Sequence, residues 1–326
     1  MRHLKSFIPI FVYLLFFLSI FISFSSCTKK VEQQSSEFGF SGTIKVSGAW
    51  ALYPMMVKWG EEFQKIHPNV RVDISAGGAG KGVSDALAGL VDLGMVSREI
   101  KQEEIDRGGC FVPVVKDAVF PVINAANPAL SYGLAQKGMT RQQFIDLWIT
   151  GKTLSWGEIV GTELPEKVAV YTRSDACGAA ETWAKYLGKM QENLQGIGVY
   201  GDPGLAEAVK QDKLGIGFNN LNYAYDMKTG LPVAGLQVIS IDVNENGVID
   251  PEEDLSTKSK AIEAIMTGHY PSPPARDLYL LTKNSFQGLT RSFILWILSE
   301  GQNFVEEVGY IKLAPTQIER AMQELQ

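Results

Sequence analysis

Histidine is nearly missing from this chain of 326 residues. Only His3, His67 and His269 occur, and the last two stand beside Pro68 and Tyr270-Pro271 in turn-like sequence. There is no Gly-x-Ser-x-Gly elbow, no Cys-x-x-Cys pair and no His-x-x-x-His spacing, so the common nucleophile and zinc arrangements are excluded. An enzymatic reading is left with Cys177 as a nucleophile and a distant histidine, and the chain reads as a non-enzyme. Cysteine is scarce too: Cys27, Cys110 and Cys177 are the full set. A basic surplus is absent, with 30 Lys and Arg against 36 Asp and Glu, which argues against a nucleic-acid partner. No repeat at solenoid or propeller spacing is present.

What the chain does have is one long apolar run, Phe7 to Phe24, behind Arg2 and Lys5 and ahead of Ser25-Ser26-Cys27. Small residues before a cysteine resemble the lipobox of bacterial lipoprotein signal peptides, with Phe24 where that pattern has Leu. On that reading residues 1–26 are a signal peptide and Cys27 is lipidated; the alternative is an uncleaved transmembrane anchor. Either places the remainder in the cell envelope, outside the cytoplasmic membrane. Residues 27–40 are polar and read as a tether. Removal of the leader leaves 28 basic residues against 36 acidic, a net −8. That balance does not oppose a small anion, because amide dipoles in a closed cleft act inside the Debye length of about 8 Å.

About 290 residues follow, which exceeds the usual single core and predicts two lobes. Strand-like and helix-like stretches alternate, as in a parallel α/β sheet. Three strands break at small residues and open into helices: Ile44–Val46 before Ser47-Gly48-Ala49, Val70–Ile74 before Gly77-Gly78-Ala79-Gly80-Lys81-Gly82, and Val168–Tyr171 before Cys177-Gly178-Ala179-Ala180. The first turn of a helix leaves N–H groups unpaired and carries partial positive charge. Three such ends could surround one oxyanion. Val91–Val96 reads as a buried strand, Phe111–Val115 and Ala118–Asn124 as strands carrying the chain between lobes, and Thr140–Thr150 as a helical block capped by Thr140.

Seven segments, in order, resemble the phosphate-binding proteins of ABC transporters. They are Val46-Ser47-Gly48-Ala49-Trp50-Ala51-Leu52-Tyr53-Pro54, Gly77 to Gly82, Val91-Asp92-Leu93-Gly94-Met95-Val96-Ser97-Arg98, Arg173-Ser174-Asp175-Ala176-Cys177-Gly178, Leu214 to Phe218, Arg276-Asp277-Leu278-Tyr279-Leu280, and Gly301-Gln302 to Tyr310. The resemblance spans roughly residues 41 to 313. It implies the two-lobed periplasmic-binding-protein fold (type II-like), α/β, with the ligand cleft between lobes. The expected layout is lobe 1 from 41 to 118, lobe 2 from 119 to 240, and lobe 1 again from 255 to 326. It further implies a lipid-anchored monomeric receptor that needs no cofactor for binding and hands phosphate or a related oxyanion to an ABC permease. The alternative is a binding protein or sensor of this fold for another small anion, uncoupled from transport.

The expected ligand-binding set is Ala49, Trp50, Ala51, Ala79, Gly80, Lys81, Ser97, Arg98, Arg173, Cys177, Gly178 and Ala179. Family members supply hydroxyls from these segments, yet this chain has Ala49 and Trp50 where a Ser/Thr pair is common, Ala79 for Ser, Cys177 and Ala179 in place of Ser and Thr, and Ser97 where some carry Asp. At about 1.5–3 kcal/mol per hydrogen bond to a charged group, losing several would weaken phosphate binding by orders of magnitude unless other donors replace them. A different anion, a carboxylate or a larger ligand stacked on Trp50 stays open. Cys177 is either a small buried hydrophobe or a thiol whose pKa a helix N-terminus lowers, and a Cys110–Cys177 disulfide is open.

A second motif stands apart. Residues 242–253 match a twelve-position EF-hand loop: Asp242, Asn244, Asn246, Asp250 and Glu253 supply oxygen side chains, Val248 a carbonyl, and Gly247 the sharp turn. The reading is a structural Ca²⁺ loop, an insertion at 241–254 near the crossover between lobes.

Overall fold

The computed structural model describes residues 39–325; the expected leader, Cys27 and most of the tether lie outside the described residues. Eleven strands are described: β1 (Gly42–Gly48), β2 (Val70–Ala76), β3 (Leu93–Val96), β4 (Gly109–Asn124), β5 (Met139–Thr140), β6 (Ala169–Arg173), β7 (Ile197–Val199), β8 (Gly215–Asn220), β9 (Leu236–Val238), β10 (Ile241–Asp242) and β11 (Ala275–Lys283). Their main path runs β2-β1-β3-β11-β4-β8-β6-β7, with β9 added on β4 and β10 paired with β5 in a separate small sheet. β1, β2 and β3 are mutually parallel, as are β6, β7 and β8. β4 and β11 run antiparallel to each other and to their neighbours. The fold is α/β and two-lobed.

The helices cover the sheet because their apolar faces have nowhere else to go. Tyr53–Ile66 buries Met55, Met56, Trp59 and Phe63, and Gly288–Leu298 sends Phe293 and Trp296 against Phe63, with ring centroids 4.8 and 5.4 Å away. These residues form the first core together with Ile44, Val46, Val112, Val114, Leu278 and Leu280. Arg141–Trp148 begins at Thr140, whose side chain accepts from the Gln143 amide, and brings Phe144 and Trp148 to Trp183 and Phe218. That aromatic cluster centres the second core, which also holds Val119, Phe120, Val122 and Ile216.

β4 is the route between the cores. The two expected strands are one strand of 16 residues, whose Val112 to Val115 pack in the first core and whose Ala118 to Ile123 pack in the second. The return crossing corrects the expected layout. Leu255, Ala261, Ala264 and Tyr270 are buried in the second core, so the chain goes back only on β11, near Ala275–Leu278, where a register shift separates Leu278 from Tyr279. The amphipathic helix Lys258–Met266 does not declare in sequence which core it faces. The EF-hand-like loop therefore sits on the second lobe, one lobe-2 helix before the crossing. Cys110 and Cys177 are both free cysteines, and they occupy different lobes.

Candidate functional site

The three expected turns do converge. β1 ends in a 3-10 turn, Trp50–Leu52, β2 opens at Gly78 into the helix Ala79–Leu87, and β6 is followed by Cys177 and the helix Gly178–Tyr186. Across the lobes the Gly80 amide donates to the Ala176 carbonyl at 3.2 Å. A Cβ at Gly178 would lie 2.1 Å from the Ser97 carbonyl oxygen and 2.3 Å from Ser97 Oγ, and one at Gly78 would lie 2.8 Å from the Ala176 carbonyl. Only glycine permits this closeness, and at Gly78 a φ of 89° asks for it as well. Trp50 lies over Gly201, 3.2 Å from where a Cβ would stand, and its carbonyl accepts from Tyr223 Oη at 3.3 Å. The lobes are closed on one another along this line.

Arg173 stands directly behind the third turn, with a side chain fully buried. Its guanidinium is forked onto Asp175, Nε to Oδ1 at 2.8 Å and Nη2 to Oδ2 at 2.6 Å, while Nη1 reaches Asp202 Oδ2 at 2.6 Å. Burial works against the charge, yet the carboxylates of Asp202 and Asp175 outweigh it and hold the guanidinium pKa above its ordinary value. Asp202 Oδ1 accepts from Asn220 Nδ2 at 2.6 Å, and Asn220 Oδ1 accepts from Arg276 Nη2. Arg276 in turn lies 3.4 Å from Asp117 Oδ2. Asp117 is wholly buried; burial pushes its pKa up to about 6 against the pull of Arg276. The chain of contacts thus holds three carboxylates and two guanidinium groups.

Other expected residues have different partners. Arg98 is spent on protein: it forks onto Glu104 at 2.9 and 2.6 Å and bridges the lobes to Glu181 at 3.1 Å. Lys185–Glu99 at 2.8 Å is a second bridge. The Lys81 ammonium pairs with Asp85, which also accepts from Ser47 Oγ at 2.7 Å, and is thereby drawn from the cleft. Ala49, Ala51, Ala79 and Ala179 are buried; the Ala49 amide donates to Met95 and the Ala51 carbonyl accepts from Tyr310 Oη at 2.6 Å, both within lobe 1. Cys177 caps its helix, Sγ accepting from the Ala180 amide at 3.4 Å. Burial pushes its thiol up to about 12, only partly opposed by Arg173, which fits the small buried group and runs opposite to the lowered pKa of an activated thiolate. A groove of about 990 Å³ opens beside the closed contact, bounded by Arg98, Lys116, Glu181, Lys185 and Arg276.

The expected site set lacked Asp202, which touches Arg173, Asn220, Arg276 and Asp117, which follow it in the chain of contacts, and Tyr223, which feels the Arg173 charge. A signal existed: Asp117 interrupts an apolar run, and Asn219-Asn220 close a wholly buried strand at its carboxyl end, where ligands of α/β sheets gather.

In the 242–253 loop, Asp242 accepts from the amides of Asn246 and Gly247 at 3.1 and 2.9 Å, Asn244 and Asn246 donate to Asp250 Oδ2 at 2.8 and 3.1 Å, and Glu253 accepts from the Val243 amide at 2.9 Å. The Val248 amide donates to Asn246 Oδ1 at 2.9 Å. Glu245 and Gly247 take positive φ, 58° and 83°. Among the described residues no group of three or more His, Cys, Asp and Glu is arranged to hold a metal ion; two of the six expected ligands are Asn and one is a carbonyl.

Comparison with known proteins agrees with this architecture. The phosphate-binding protein PstS of Bacillus subtilis is 24% identical over 283 residues, covering 86% of this chain and 84% of the relative. The phosphate-binding protein PstS of Pseudomonas aeruginosa is 25% identical, covering 88% of each. Among solved structures, a Clostridium perfringens substrate-binding protein assigned to a phosphate ABC transporter, with bound phosphate, superposes with a TM-score of 0.68 at 23% identity, covering 84% of this chain and 100% of that one. A family model described as a PBP superfamily domain matches residues 34–301, and the chain belongs to that superfamily.

Proposed function

We propose that this protein is the solute-binding receptor of an ABC importer and that it grips phosphate, or a closely related oxyanion, between its lobes. The observation that carries the reading is the meeting of the Gly78–Gly80 turn, Ser97 and the amino end of the helix Gly178–Tyr186 in front of buried Arg173. Helix-end amides and a guanidinium are the donors an oxyanion needs. The names of the relatives support phosphate. No step of covalent chemistry is asked of the site, and the buried, protonated Cys177 supplies no nucleophile. Ligand contacts made only when both lobes touch the anion would shift the lobes toward closure.

The second reading, another small anion at the same site, is favoured by two features: the missing hydroxyls, and an Arg173 already shared by two carboxylates. Isothermal titration of residues 39–326 with phosphate, sulfate and small carboxylates decides between them. Micromolar phosphate binding supports the first reading; silence to phosphate with binding of another anion replaces it.

The same proposal places the chain in the cell envelope as a monomer, anchored by lipid on Cys27 after removal of residues 1–26. No described helix is long and apolar enough to cross a membrane. Labelled palmitate incorporation into wild type and not into Cys27→Ser would test the anchor. The loop 242–253 is proposed to take Ca²⁺ through Asp242, Asn244, Asn246, the Val248 carbonyl, Asp250 and Glu253. Its support is the complete spacing of oxygen donors with glycine at the turn. Direct titration with Ca²⁺, against Glu253→Gln, tests it.

A further inference from the structure

The contacts behind Arg173 do not stop at the carboxylates that hold it. Asp202 binds Arg173 through Oδ2 and offers Oδ1 to the amide and to the side-chain Nδ2 of Asn220, at 3.3 and 2.6 Å. The same carboxamide turns its oxygen to Arg276 Nη2 on β11. Arg276 faces Asp117 on β4, and Asp117 Oδ1 accepts from the Leu221 amide at 3.2 Å. β4 and β11 are the strands on which the chain passes between the cores. Asn220 is 2% exposed and Asp202 1%, so water cannot replace a lost partner.

We infer that Asn220 is a positioning residue for the anion site: its carboxamide ties Asp202, and through it the Arg173 guanidinium, to Arg276 and Asp117 on the two hinge strands. The amide suits the place because the two neighbours make opposite demands. Asp202 requires a donor and Arg276 requires an acceptor, and asparagine offers both from one planar group. A carboxylate would satisfy Arg276 and repel Asp202; an apolar side chain would satisfy neither. This inference rests on the reading of Arg173 as part of an oxyanion site.

The test is phosphate titration of wild type, Asn220→Asp and Asn220→Leu at pH 8 and pH 5, with thermal melts of each. The charged and titratable groups around the position are Asp202 on the helix Gly201–Gln211, Arg276 on β11 and Asp117 on β4, with Lys258 acting on Asp117, Tyr270 and Cys177 acting on Arg276, Arg173 and Asp175 one contact further, and Tyr223 on the following turn; Lys258, like Asp117, titrates in wild type and variants alike. Ionised at pH 8, the introduced carboxyl pushes Asp202 off, and phosphate binds ten- to a hundredfold more weakly than to wild type. Protonated at pH 5, it reproduces the donor and acceptor of the amide, and the ratio of variant to wild-type Kd returns to within about threefold. Asn220→Leu shows the loss at both pH values. Taking ratios removes the titration of phosphate and of Asp117, which wild type shares. Equal Kd for wild type and Asn220→Asp at pH 8 overturns the inference alone. A loss in Asn220→Asp that stays constant between pH 8 and pH 5, matched by a lowered melting temperature at both, also overturns it, since a general structural defect behaves that way. Silence of wild type to phosphate at both pH values removes the underlying reading and this inference with it.

Discussion

Gly178→Ala is the sharpest perturbation of the proposed closure. A glycine-to-alanine change in a helix ordinarily stabilises by about 1 kcal/mol. Here the methyl would stand 2.1 Å from the Ser97 carbonyl, where Cβ contacts under 3.0 Å essentially never occur, so the lobes must part by about 1 Å. The Gly80 amide to Ala176 carbonyl bond, now 3.2 Å, is then stretched out of range, at a cost of about 0.5–1.5 kcal/mol. The Arg98–Glu181 bridge is carried on the same helix and weakens with it, adding up to about 1 kcal/mol. A closed state raised by about 0.5–2.5 kcal/mol corresponds to a phosphate Kd roughly two- to seventyfold weaker. Neither core is touched, since Gly178 faces the other lobe, and the melting temperature should hold within a few degrees. Calorimetric titration beside a thermal melt gives both numbers. A Kd within twofold of wild type would refute the argument that the Ser97–Gly178 contact belongs to the binding-competent state.

Three further outcomes follow from the charges. Asp117 has a native pKa raised to about 6, so the folded state binds more protons than the unfolded between pH 4 and 6, and this group's contribution to stability falls as pH rises through that window and is flat above it. The stability of wild type minus that of Asp117→Asn, from urea melts, should therefore decline from pH 4 to pH 6 and then level; a difference that rises would reverse the assignment. Arg173→Ala strands two buried carboxylates and should cost about 3–5 kcal/mol of stability and abolish anion binding, whereas an unshifted urea midpoint would remove Arg173 from the network. With Ca²⁺ at a hundred times its Kd the chain should gain about 2.7 kcal/mol over chelated protein, read as a higher melting temperature, and Glu253→Gln should lose that gain while keeping its phosphate Kd; equal melts with and without chelator would dispose of the calcium proposal.

The backbone was legible where period and caps speak locally. Ile44 and Val46 are buried while Lys45 is exposed, Thr140 caps its helix through the Gln143 amide, and Gly78 and Gly178 stand where a second chain segment comes too close for a side chain. The side-chain network was not legible, because charge in sequence carries no partner. Arg98 looks like a ligand beside Ser97, but Glu104 lies six residues on and Glu181 across the cleft, and both claim it. Lys81 sits in a glycine-rich turn and turns back to Asp85, one helical turn away. Asp202 and Arg276 meet through Asn220 from three separate elements, and only the fold brings them together. The return crossing was misplaced for the same reason: helix Lys258–Met266 is amphipathic, and which lobe covers its apolar face is decided by Ala261 and Ala264 reaching the second core.

The displaced roles of Arg98 and the missing hydroxyls belong to one account. A two-lobed receptor binds with the intrinsic affinity of its closed form reduced by the fraction of molecules that are closed. Side-chain hydroxyls raise the first factor; bridges between lobes raise the second. This chain has Ala49, Ala79 and Ala179 in place of hydroxyl donors, and spends Arg98, Lys185, Tyr223 and the Gly80 amide on contacts across the cleft. Each bridge is worth no more than about 1 kcal/mol where it is part exposed, so four of them acting together raise the closed fraction by up to about three orders of magnitude, which offsets part of the roughly three to seven orders that three lost hydrogen bonds of about 1.5–3 kcal/mol each remove. If the proposed function holds, a site built this way discriminates less by the donors it offers than by the shape it closes to, and the contact of Ser97 with Gly178 and the contacts of Asp117, Asn220 and Arg276 on the crossing strands are then where anion selectivity is set.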